Sequence, residues 1–195
     1  MKKLILLSFI LVATNSFGQS PIKNLMQRFE FGVKAGANYS NFNNANFDTE
    51  GLLGFHAGAV VGFKLTDNLS IQEEFLFSTQ GAKVKGGVWD NQDLKIYYLT
   101  VPFQLKYRTE SGIYFEAGPQ VGMKLKEDIE GLNGSEFVKK LDLSVVGGLG
   151  YQTAGGLGIG ARYIYGISKV SNFDISNIKN DFTNNTIQVS VFYLF

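Results

Sequence analysis

The stretch NTIQVSVFYLF, residues 185–195, sets an apolar side chain at every second position: Ile187, Val189, Val191, Tyr193 and Phe195. Thr186, Gln188 and Ser190 alternate with them. A period of two is that of a β-strand with one apolar face. Chain ends usually fray in water, so a strand pattern that runs undiminished to Phe195 predicts that something holds that residue.

The same period recurs upstream in seven more segments: 29–40, 53–65, 69–80, 95–108, 113–125, 141–152 and 156–167. In the first, Phe29, Phe31, Val33, Ala35, Ala37 and Tyr39 oppose Glu30, Gly32, Lys34, Gly36, Asn38 and Ser40. The third sets Leu69, Ile71, Phe75 and Phe77 against Gln72, Glu74, Ser78 and Gln80, and Glu73 interrupts its apolar side. The runs are about 11 to 14 residues long, whereas globular strands typically have about 5–6. A tilted strand needs roughly 9–11 residues to cross a bilayer's hydrocarbon layer.

The connections alternate in length. Residues 66–68, 109–112 and 153–155 read as tight turns rich in Asn, Asp and Gly. The segments 41–52, 81–94, 126–140 and 168–184 are longer and polar. Short turns on one rim and long loops on the other predict an all-β, eight-stranded, antiparallel up-and-down transmembrane β-barrel. A soluble lipocalin-like barrel has the inverse orientation, with bulky apolar residues inside. Two features favour lipid outside. The polar face is rich in Gly, Ser, Thr and Gln, which suit a narrow interior. The aromatics of the apolar face fall into two girdles: Phe29, Phe63, Tyr107, Phe115, Tyr151 and Phe195 near the short turns, and Tyr39, Phe55, Phe77, Tyr97 and Tyr165 toward the long loops. Lipid contact forbids an open sheet edge, so the last strand is expected to pair with the first.

Residues 1–18 have the order of a secretory leader: Lys2 and Lys3, an apolar run from 4 to 13, then Ser16 and Gly18 before Gln19. Residues 19–28 are expected to form a periplasmic N-terminal segment, and 29–195 the barrel. Loss of the leader's two lysines would leave sixteen basic against seventeen acidic residues, a balance that does not steer nucleic acid. The chain has no cysteine, which excludes a disulfide framework and a thiol-linked lipid anchor. The expected location is the outer membrane of a Gram-negative bacterium.

The chain as a whole resembles the PorT-like family of small outer-membrane β-barrel proteins of Bacteroidetes-type bacteria. The likeness lies in SFGQ at the leader's end, FGVKAGANYS, LSIQEEFLFSTQGAK, LKIYYLTVPFQLKYR, GIYFEAGPQVGMKL and GLGIGARYIYGIS. The resemblance implies the barrel and, through the member that names the family, an accessory role in a secretion system. It also implies that Tyr193 and Phe195 end the chain as a C-terminal signal for the barrel assembly machinery. Pro102 and Pro119 fall inside strands and are expected at bulges or locally distorted pairs, because each removes a ladder hydrogen bond.

The inward face carries Lys34, Glu74, Lys106, Glu116 and Arg162, expected to form a charge network across the bore. Parity about Ser111 sets Lys106 opposite Glu116 and predicts a salt bridge there. The single histidine, His56, is expected near the outer rim. No G-x-S-x-G, H-E-x-x-H or cofactor-binding motif is present; the glycines of 147–160 alternate along strands and lack the helix a phosphate loop requires. Trp89, Phe173 and Phe182 fall in the long loops, where a protein or glycan partner is expected to bind. The sequence thus predicts a monomeric, non-enzymatic barrel that contacts outer-membrane lipid and works as a structural or interaction protein. A narrow channel and a rim-located enzyme are the other readings.

Overall fold

The computed structural model describes residues 25–43, 48–85, 92–129, 139–168 and 183–195. Leader residues 1–18, most of 19–28, and Trp89, Phe173 and Phe182 lie outside the described residues. Eight strands form one closed antiparallel barrel in chain order: β1 Phe29–Asn43, β2 Asp48–Lys64, β3 Leu69–Lys85, β4 Gln92–Arg108, β5 Ile113–Ile129, β6 Leu141–Gln152, β7 Leu157–Gly166 and β8 Thr183–Leu194. Closure is made by β1 and β8, paired from Gly32 opposite Leu194 to Asn43 opposite Thr183. Beyond the last pair, the Phe195 amide donates to the Phe31 carbonyl at 2.7 Å. That bond holds the end of the chain against the barrel wall.

Alternation sets the side of each residue. Along β1 the buried positions are Gly32, Lys34, Asn38, Ser40 and Phe42, while Phe31, Val33, Ala35, Ala37 and Tyr39 are exposed. Phe75 is 44% exposed and Val189 49%, both on the outside; Val101 is half-buried on the same face. Such a belt of exposed apolar side chains is what a hydrocarbon surround selects and water does not.

Two of the short turns share one device. Thr109 and Thr153 each donate a hydroxyl at 3.0 Å to the carbonyl four residues on, at Ile113 and Leu157. Gly112 and Gly156 then turn the chain at φ +95° and +88°, in the left-handed region that favours glycine. The third turn uses the Thr66 hydroxyl to accept from the Asn68 and Leu69 amides at 3.3 and 3.0 Å.

Strands β1 to β5 run further toward the long-loop rim than alternation predicts. β1 continues to Asn43, β3 to Lys85 and β5 to Ile129, while β2 begins at Asp48 and β4 at Gln92. Register shifts fall between Gly51 and His56 in the β2–β3 pairing and between Tyr97 and Tyr98 in the β4–β5 pairing. Neither proline sits at a bulge. Pairing of β3 with β4 skips Glu74 and Phe75 against Val101 and Pro102 and resumes in the same register. Pairing of β4 with β5 likewise skips Phe103 and Gln104 against Gly118 and Pro119.

Two apolar clusters lie inside the bore. Val60, Tyr114, Phe192 and Leu194 pack toward the short-turn end, and Phe42, Ala82, Ile96 and Tyr98 toward the other. The polar interior lies between them.

Candidate functional site

The centre of the bore is built around Glu74, which is fully buried on β3. Its Oε1 pairs with Lys34 of β1 and accepts from Gln72 Nε2 at 2.7 Å. Its Oε2 accepts from Arg162 Nη1 of β7 at 2.8 Å. Arg162 also donates through Nε to Gln188 of β8 at 2.6 Å, and its Nη1 lies 4.0 Å from Glu116 of β5. Four strands, β1, β3, β7 and β8, are thereby tied across the bore by charge-assisted bonds, the strong class of hydrogen bond, and Glu116 brings β5 to ion-pair distance.

Lys106 and Glu116 stand opposite each other in register, yet no ion pair joins them. The expected salt bridge is therefore corrected. Glu116 faces Arg162 instead. Lys106 Nζ donates to Gln72 at 3.2 Å and Gln152 at 3.0 Å and lies over the rings of Tyr114 and Phe192, 4.3 and 4.6 Å from their centroids. Opposition in register brought the backbones together, and rotamer choice across a narrow bore decided the partners.

Parity already sets Tyr114 on the inward face but gives neither ring a role, and the glycines explain how both fit. A Cβ on Gly160 would collide with Tyr114 Oη, one on Gly150 with the Tyr114 ring, and one on Gly158 with the Phe192 ring. The alternate glycines of β6 and β7 are thus the cradle of two inward aromatics.

His56 lies at the midpoint of β2, not near the rim, because β2 begins at Asp48 rather than at residue 53. It is 1% exposed. Its Nδ1 lies 2.6 Å from Asn38 Oδ1 and its Nε2 2.8 Å from Ser190 Oγ. Asn38 Nδ2 already donates to the Phe55 and Thr79 carbonyls and the Ser78 hydroxyl. Its oxygen therefore faces the ring, so Nδ1 carries the proton and Nε2 accepts from Ser190. Serine, imidazole and amide stand in the order that nucleophilic catalysis uses. All three are buried inside the barrel.

A cavity of about 20 Å³ touches the lower end of the network, lined by Glu30, Lys64, Lys106, Arg108 and Gln152. That is room for a water-sized guest. At the other rim the walls carry exposed pairs, Lys85–Glu50 at 3.2 Å, Lys95–Asp93 at 3.2 Å and Lys83–Asp93 at 3.7 Å. Exposed pairs of this kind contribute little to stability.

Residues 17–172 match the family described as outer membrane protein beta-barrel domain. No curated protein matches the sequence. Among the solved structures that share the architecture are three outer-membrane proteins. Neisserial surface protein A is 19% identical with a TM-score of 0.54, over 85% of this chain and 97% of that one. Ail, the attachment invasion locus protein of Yersinia pestis, is 16% identical with a TM-score of 0.52, over 85% and 98%. OprG from Pseudomonas aeruginosa is 13% identical with a TM-score of 0.50, over 85% and 95%. At these identities the likeness is one of fold.

Proposed function

The chain belongs to the family of outer membrane protein beta-barrel domains, and from that premise we propose that it acts there as a non-enzymatic structural or interaction protein, a monomer whose extracellular loops bind a protein or a glycan. It is an outer-membrane β-barrel protein. The observation that carries the finer reading is the filled bore. Glu74, Lys34 and Arg162 locked together between two apolar clusters among the described residues support an interior that is packed rather than open to a solute or to a substrate at Ser190. Function then belongs to the surfaces. Rigid barrels commonly present it on their loops, where Trp89, Phe173 and Phe182 are the candidate contacts. The PorT-like resemblance of the sequence adds a specific form of the reading, an accessory of a secretion system. It also supports a role for Tyr193 and Phe195 as the signal read by the assembly machinery.

The test of the filled bore is conductance. Purified protein inserted in a planar bilayer is expected to give no stable open-channel steps in molar salt. Reproducible unitary conductance would overturn the reading in favour of a narrow channel. In-cell crosslinking from Trp89 or Phe173 then identifies what the loops bind.

A further inference from the structure

Glu73 is the exception on the outer surface. Between the two aromatic girdles, every other outward position among the described residues carries an apolar or aromatic side chain, glycine or proline. Glu73 lies on β3 halfway between Leu69 at the short-turn end and the girdle residue Phe77, with Ile71 and Phe75 on either side, and is half-buried. Its register partners are Val61 and Phe103. No basic side chain among the described residues pairs with it. The neighbouring carboxylate, Glu74, points inward and holds two cations; Glu73 points out and holds none.

The wall beside it has two further features. The β3–β4 and β4–β5 ladders are both interrupted next to Phe103, at Pro102 and Pro119. On β5 and β6, Ala117 stands opposite Gly147, and a Cβ built on Gly147 would meet nothing within 4 Å. Carboxylate and the exposed ring of Phe103 thus adjoin in register, and the open position at Gly147 lies further round the wall on β6.

An ionisable group held in the hydrocarbon layer is unfavourable, and such groups mark places where a partner supplies the missing bond. We propose that the face of β3 to β5 centred on Glu73 is an intramembrane docking surface for a partner protein whose own lipid-facing wall carries a lysine or arginine. A second copy does not satisfy this requirement. The described outer belt holds no basic side chain, and a two-fold contact would set Glu73 against Glu73. Lipid ammonium groups do not satisfy it either, because they lie at the interface and not between the girdles. This surface is separate from the loop surface proposed above, so the two stand or fall independently.

The test uses the full-length chain in its native outer membrane with a photo-crosslinking residue at Phe103, and at Val189 as a control elsewhere on the barrel. Capture alone decides nothing. The expected result is an adduct from Phe103, absent from Val189, that maps to a membrane-embedded segment bearing Lys or Arg. Its yield should fall by about tenfold or more in both Glu73→Gln and Glu73→Leu, the loss expected for a bond to a charged group. Heat-modifiable gel migration checks that both variants remain folded barrels; each removes a charge from lipid and should fold at least as well as the parent. An adduct to a second copy, adducts to lipid alone, or an adduct whose yield is unchanged in the Glu73 variants would overturn the proposal.

Discussion

Glu74 shows how one residue can organise an interior. It accepts from Lys34, Gln72 and Arg162 at once, so its charge is what makes two buried cations tolerable. Glu74→Gln is expected to destabilise the barrel by about 3–5 kcal/mol, the range for breaking a buried pair and leaving a charge uncompensated. Lys34→Met should cost less, because Glu74 keeps Arg162 and Gln72. Urea-driven unfolding from lipid vesicles measures both, and equal losses would contradict this ordering. Gly160 gives a second residue-scale prediction. Gly160→Ala places a methyl against Tyr114 Oη and should cost about 1–3 kcal/mol as overpacking. In the same background Tyr114→Phe removes the colliding oxygen, so most of that loss should return. If the double variant is no more stable than Gly160→Ala alone, the cradle account of these glycines is wrong. The alternation of the glycines was legible in the sequence. Their purpose was not, because Tyr114 reaches from β5 across β6 to β7, and no spacing along the chain encodes a contact between strands that do not pair.

At the scale of elements, the sequence revealed the parity of every strand but set too short a limit on five of them. Alternation reports a difference between the two surroundings of a strand. Between the girdles one face meets lipid and the other the packed bore, so the period is clear from Phe29 to Ser40. Beyond the long-loop girdle the outward face turns polar, as with Glu50, Lys83, Lys85 and Asp93, while Phe42, Ala82 and Ile96 are buried inside; the apolar-out period is lost although the ladder continues. The same limit misplaced His56, which a longer β2 moves to mid-wall. The prolines were expected at bulges or distorted pairs, and the structure places them at gaps in a register that is otherwise kept. Register itself was legible: Lys106 does stand opposite Glu116. Which side chains then bond depends on the whole ring of strands.

The molecule as a whole rests on one orientation. Apolar faces look outward across the full circumference, and ions and aromatics fill the centre. Closure by β1 and β8 removes the edges that lipid would leave unsatisfied, and the filled centre is the reason the loops and the Glu73 face are the surfaces proposed for partners. The most direct measurement of this orientation is quenching of single tryptophans by lipids brominated on their acyl chains. In a background with Trp89→Phe, which removes the one native tryptophan, Phe75→Trp and Val189→Trp should be strongly quenched. Tyr98→Trp and Tyr114→Trp, both at buried inward positions, should be nearly untouched. Strong quenching of the inward pair with protection of Phe75 and Val189 would contradict the account.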